Sequence, residues 1–495
     1  MEAADEGGAV ERLTPLATAF LDAEDADPAA SLAIGSFAIF AGPAPSFAEF
    51  AATIANRLPL IPRYRQRLRT VPFGLAAPAW VDDPSFDLTR HVHQAPVPAP
   101  AGPRQVGELF SRLMTERMAR DRPLWEYWFC PGLPDGRWAL ISKLHHSMAD
   151  GVSGTELYHL VLDGSPHAAP PIVDDWLPHE PSGLNFTAQA LLDLARTPSR
   201  QLAAGLRALG SPLRLAGQAG ELGHGLLTMS GALRPVRRTS LAGPLCGRRR
   251  YAWTGCSLAE LQPVRQQFQV TVNDVALAAI TGGFRRLLIA RGEQPTETSL
   301  RSLVPVSTRE AGAERIQDNR ISLLLPYLPV ELPDPADRLH TVASRLAALR
   351  QAHEADAGAD LTTLAAASPF LPVALGIRLG WRLPQHQIAT VTTNVPGPRA
   401  TLYCLGRPLQ EILPYVPIAS RLRTGIAIFS YRHQLTFGVT ADYDTVPDVE
   451  LLATGIRDSI TELTELAELA KPAEPAELSK PAEPAELHLV ARGRS

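Results

Sequence analysis

The string Trp138-Ala139-Leu140-Ile141-Ser142-Lys143-Leu144-His145 constrains the fold more than any other stretch of the chain. Apolar side chains occupy both of its parities, so it reads as a buried strand. What ends it is as informative: His145-His146-Ser147-Met148-Ala149-Asp150-Gly151. Gly151 permits a sharp turn. Ser153, with Glu156 three residues on, resembles a capping box that starts a helix running to about Val161. His146 is thus expected where a strand gives way to a loop, a usual place for a reacting group on a rigid scaffold.

Two histidines, an aspartate and a glycine in so short a space form a kit for base catalysis at a hydroxyl or amine. Neutral imidazole is the side chain best matched to accepting a proton near pH 7. Neighbouring strand residues point to opposite faces, so His145 and His146 cannot share one metal ion. The chain has no CxxC or HExxH to supply further ligands, and no metal is expected. One imidazole should face a cleft and the other pack behind it.

At 495 residues the chain is too long for one ordinary core, and two domains of about 200 residues are expected. Strands interleaved with helices argue for an α/β layer structure. Strands are expected at Leu32–Phe40 and Trp125–Cys130, and helices at Phe47–Leu58 and Val106–Met118. Residues 1–12 read as disordered, 13–184 as a first domain whose last part is a proline-rich loop, and 248–466 as a second. Between them, 185–247 carries leucines at helical spacing; within it, 185–238 holds seven arginines and two acids. Such a basic amphipathic stretch can lie on an anionic lipid surface, and helices bridging two domains account for it equally. In the tail, 467–495, the string KPAEPAEL occurs twice, and its prolines forbid a helix.

A net charge of −4 gives no basic field to recruit nucleic acid. Four cysteines without paired spacing fit a reduced, cytoplasmic protein. The acidic first residues make no secretory signal, and no apolar run is long enough to span a bilayer. Work on lipid would proceed from a surface, as a peripheral protein of a membrane or lipid inclusion.

Further strings bear on function. Asp121-Arg122-Pro123-Leu124-Trp125-Glu126 precedes the histidine strand. Asn273-Asp274 opens a helical stretch, with Thr271 placed to cap it through Asp274. Pro305-Val306-Ser307-Thr308-Arg309, Asp318-Asn319-Arg320 and Thr393-Asn394-Val395-Pro396-Gly397-Pro398 follow, the last read as a loop because two prolines and a glycine exclude regular structure. In this order and at these separations, from about Leu13 to Leu466, the chain resembles the bacterial wax ester synthase/diacylglycerol acyltransferase family. It departs from the family pattern at Ala17 and Ala242, neither of them in the acid–base kit.

The resemblance implies two chloramphenicol-acetyltransferase-like domains, as in condensation domains, with the HHxxxDG segment at a central cleft. It implies acyl-CoA as co-substrate, with no bound cofactor, and a lipid alcohol or diacylglycerol as acceptor. His146 would take the hydroxyl proton while the oxygen attacks the thioester. Gly151-Val152-Ser153-Gly154-Thr155 is no GxSxG elbow, so transfer would be direct. His145 and Gly151 would support the motif. Asp150 would either orient His146 or, as in related folds, pair with an arginine, for which Arg309 and Arg320 are candidates. Asn273 and Asp274 would shape the cleft. Pro123, Leu124 and Trp125 would line an acyl channel or pack in the core, and Asn394, Pro396 and Gly397 would brace the domain crossover or the CoA entrance. The main rival, from the same motif, is a condensation-type enzyme acting on amines or carrier-bound substrates.

Overall fold

The computed structural model describes residues 11–71, 76–148, 161–167, 172–179, 236–307, 321–356 and 387–470, together with Tyr158, Phe186 and Thr187. Asp150, Gly151, Ser153, Glu156, Arg309 and Arg320 lie outside these residues, as do 188–235 of the arginine-rich stretch and the tail from Lys471.

The first half begins with α1 (Pro15–Ala26), where Thr14 caps the Ala17 N–H at 3.1 Å and Pro15 occupies the first turn, which has no use for its missing donor. It continues with β1 (Ala33–Phe40) and α2 (Phe47–Arg57), the latter opened by a Ser46/Glu49 capping box. Next come β2 (Gln66–Arg69), β3 (Ala79–Asp82), β4 (Val92–Gln94), α3 (Pro103–Thr115), β5 (Trp125–Pro131) and β6 (Trp138–His145). The expected strands and helices are present here with ends moved by a few residues. Within the stretch expected to be disordered, Arg12 bridges to Ala79, and Glu11 O accepts from Trp80 N at 2.9 Å.

The second half comprises β7 (Arg249–Ser257), α4 (Gln262–Phe268), α5 (Val272–Ala290), β8 (Ser302–Ser307), β9 (Ile321–Leu324) and α6 (Pro335–Asp356). It ends with β10 (Thr390–Pro396), β11 (Tyr403–Cys404), β12 (Arg407–Tyr415), β13 (Thr424–Tyr431), β14 (Gln434–Asp442) and α7 (Val449–Leu469). Helix α7 runs three residues past the expected domain end at 466, to just before the proline-bearing tail.

Two six-stranded sheets result. One has the order β11-β12-β1-β6-β5-β4 and the other β7-β14-β13-β10-β8-β9. The first draws on both halves of the chain: β11 and β12 leave the second half to complete it, with Gly35 opposite Tyr415. The cores follow the same exchange. Phe37, Phe110, Trp125 and Trp138 share one cluster with Tyr251, Tyr415, Phe429 and Tyr431 of the second half. Arg249, almost wholly buried, donates to Ala29 O at 2.6 Å and lies 3.7 Å from the buried Asp442. A second cluster packs α5 and α7 over the other sheet. These helices touch through Gly283 and Gly455, where a Cβ on Gly283 would sit 3.0 Å from Ile456 N.

Candidate active site

Strand β6 is held at its end from both sides. His145 N–H donates to Leu124 O at 2.9 Å, just before β5, and His146 N–H donates to Leu32 O at 3.0 Å, just before β1. Both anchors immediately precede the strands that flank β6, so the sheet itself fixes where the two histidines stand. A single turn, His146–Met148, follows.

The two imidazoles part as adjacent residues must. His145 is buried: its Nδ1 accepts from Ser147 N at 3.2 Å and lies 2.7 Å from Ser147 Oγ. Its Nε2 faces Glu24 Oε2 at 3.6 Å. His146 is half-buried and stacks on Phe20 of α1, ring centroids 3.8 Å apart. Burial holds the His146 imidazole down to about 4, the charge of nearby His145 acting the same way against a favourable backbone hydrogen bond. It is therefore neutral at pH 7, with a lone pair to accept a proton.

Glu24 escaped the sequence reading. It is buried, accepts from Leu32 N at 3.0 Å and pairs with Arg120 at 2.9 Å. Burial pushes its carboxyl up, but the facing His145 ring, then Arg120 and the Leu32 N–H, outweigh this and bring it to about 2. In the acidic run Asp22-Ala23-Glu24-Asp25 nothing marks it as buried. The available signal was its place one turn after Phe20, on the same face of α1.

Pro123, Leu124 and Trp125 are buried in the first core. Trp125 stacks between Tyr64 and His91, centroids 4.5 and 4.6 Å away, and donates from Nε1 to Tyr64 O at 2.8 Å. Of the two expectations for this triplet, packing describes its surroundings, and Leu124 O is one anchor of the histidine strand.

The remaining candidates form a second group. Thr271 and Asp274 make the expected reciprocal cap of α5, with Asp274 N donating to Thr271 Oγ1 at 3.2 Å and Thr271 N to Asp274 Oδ2 at 2.9 Å. Asn273, beside the cap, accepts at Oδ1 from Asn394 Nδ2 at 3.0 Å, which joins the two motifs. The loop expected at 394–398 is corrected. Asn394, Val395 and Pro396 continue β10, parallel to β13 and opposite Ile428, Phe429 and Ser430. Proline is tolerated because, among the described residues, β8 pairs with β10 only at Thr390 and Val391, leaving the edge at the strand's end unpaired there. Gly397 donates to Ser430 Oγ at 3.2 Å, and a Cβ there would lie 2.1 Å from Ser430 O and 2.4 Å from the Phe429 ring.

A chain of contacts connects the groups. Phe429 packs on Tyr158 with centroids 5.7 Å apart, Tyr158 Oη donates to Ser36 Oγ at 2.5 Å, and Ser36 Oγ lies 3.0 Å from Ser142 Oγ on β6. Ser142 stands three residues before His145. Tyr158 was also missed, since its role depends on pairing across strands. Among the described residues no three His, Cys, Asp or Glu side chains converge as a metal site, and no helix is long and apolar enough to cross a membrane.

Comparison with known proteins extends this picture. Residues 13–276 match the family model of the wax ester synthase/diacylglycerol acyltransferase catalytic domain, and 317–464 that of the corresponding C-terminal domain. The Mycobacterium tuberculosis protein bearing the name "Probable diacyglycerol O-acyltransferase tgs1" is 42% identical over 93% of this chain and 97% of its own length. In fold, the wax ester synthase/diacylglycerol acyltransferase of Marinobacter aquaeolei VT8 superposes with a TM-score of 0.63 at 24% identity, over 92% of this chain and 100% of that one. The first condensation domain of the calcium-dependent antibiotic synthetase gives 0.55 at 15% identity, over 94% and 98%.

Proposed function

The chain belongs to the wax ester synthase/diacylglycerol acyltransferase family, and on that premise we propose that it transfers an acyl group from acyl-CoA directly to diacylglycerol or a long-chain alcohol. The products are triacylglycerol and wax ester. The observation that carries the chemistry is His146, neutral, half-buried and fixed at a strand end by the backbones of its neighbours.

The acceptor hydroxyl oxygen forms a bond to the thioester carbonyl carbon as its proton passes to the His146 imidazole. The tetrahedral intermediate collapses, the carbon–sulfur bond breaks, and the thiolate takes the proton from the imidazolium to leave as free CoA. No covalent enzyme intermediate is required. Asn273, steadied by Asn394, supports the cleft near the developing oxyanion. Pro396 and Gly397 brace the end of β10.

The test is thiol release from palmitoyl-CoA by purified protein with hexadecanol, diacylglycerol or no acceptor. Acceptor-dependent release is expected. Absence of release with both alcohols would overturn the reading in favour of amine or carrier-bound substrates. The arginine-rich stretch is proposed to seat the enzyme on an anionic lipid surface. Unchanged liposome flotation after Arg196, Arg200, Arg207 and Arg214 are changed to glutamine would refute that.

A further inference from the structure

Helix α1 meets both histidines at once. Phe20 and Glu24 stand one turn apart, so they share a face of the helix. Phe20 stacks on the His146 ring, and Glu24 faces the ring of His145. Resting on the reading of His146 as the base, we propose that Glu24 is a positioning residue of the acyl transfer, acting through His145 to hold the turn that aims His146.

The hydrogen-bond pattern gives the mechanism. Ser147 N–H points at His145 Nδ1, so that nitrogen must present its lone pair. The ring proton then belongs on Nε2, which is buried and, among the described residues, has the Glu24 carboxylate 3.6 Å away as its facing group. A carboxylate there favours this tautomer and keeps the ring oriented. The oriented ring in turn receives the backbone of Ser147, the residue after His146, and so fixes the turn from its far side. Glu24 is itself pinned by Leu32 N–H and Arg120. Leu32 O is also the acceptor for His146 N–H, so one short segment ties Glu24 to the base by two routes.

A carboxylate that only filled space would be replaced by its amide without consequence. Glu24→Gln keeps the shape and removes the charge. The expected result is a fall in kcat of roughly 10- to 100-fold in the folded variant, with KM for palmitoyl-CoA little changed and the melting temperature lowered by the loss of the Arg120 pair. Arg120→Gln, at the partly exposed rim of the cluster, should lower kcat less and in the same sense, and it serves if Glu24→Gln does not fold. Unchanged kcat in the folded variants, or a loss confined to KM, would overturn the proposal. A second readout does not need turnover. Imidazole 15N NMR, with His145 assigned through His145→Gln, should find the Nε2–H form in the wild type and a mixture in Glu24→Gln. An identical spectrum in both would overturn the proposal even in a protein that released no thiol, whereas a changed spectrum in such a protein would uphold it and count against the acyl-CoA reading alone.

Discussion

His146 combines two properties that usually conflict: it is shielded enough to remain uncharged yet is not fully enclosed, as the proposed base requires. Stacking on Phe20 provides part of the shield, and its backbone bond to Leu32 O prevents the turn from swinging away. Its lowered pKa couples it to stability. In the unfolded chain the imidazole titrates near about 6.5, whereas in the folded protein burial holds it down to about 4. Below pH 6.5 the unfolded state therefore binds the proton first, and this site's contribution to stability falls as pH drops towards 4, with nothing lost above 6.5. Buried His91, also lowered chiefly by desolvation, acts in the same direction. Glu24 loses its contribution only below about 4.5, as pH falls towards 2. Urea denaturation at pH 7 and pH 5 should show a loss about 1–2 kcal/mol smaller in His146→Gln than in the wild type. Equal losses in the two proteins would contradict the burial argument.

Among the elements, those built from local pattern were legible in the sequence. Strand β6 announced itself by apolar residues on both parities, and α5 by the Thr271/Asp274 cap, because both signals lie within a few residues of one another. What the sequence hid was non-local. Strand β10 looked like a loop through Asn394–Pro398 because two prolines and a glycine are poor strand residues alone, and only the partner β13 makes Asn394–Pro396 a strand end. The exchange of β11 and β12 into the first sheet leaves no local trace, and Glu24 reads as one more exposed acid until α1 is docked on the histidine turn. The end of β10 offers a direct check. Gly397→Ala would drive a methyl into Ser430 O and the Phe429 ring. A stability loss of about 1–3 kcal/mol is expected, read by urea denaturation, and a variant as stable as the wild type would show that the strand end can yield.

At the scale of the molecule, the site is a product of both halves. The histidine strand is braced by β1 and β5 of the first half, while the Asn273–Asn394 pair belongs wholly to the second. What unites them is the shared core, the crossing strands, and the buried Arg249 that reaches from β7 to Ala29 and Ile418. Under the proposed mechanism an acyl donor and an apolar acceptor would meet at one fixed base without a covalent intermediate, which is what direct transfer demands. Condensation domains share the fold at low identity, and a shared scaffold does not fix the acceptor. The measurement that bears most directly on this account is the acceptor-dependent kcat of His146→Ala beside the wild type, with palmitoyl-CoA and whichever alcohol the wild type prefers. A loss of roughly 10²–10⁴-fold in kcat with the melting temperature preserved is the predicted result. A folded His146→Ala protein that turned over at the wild-type rate would contradict the assignment of His146 as the base.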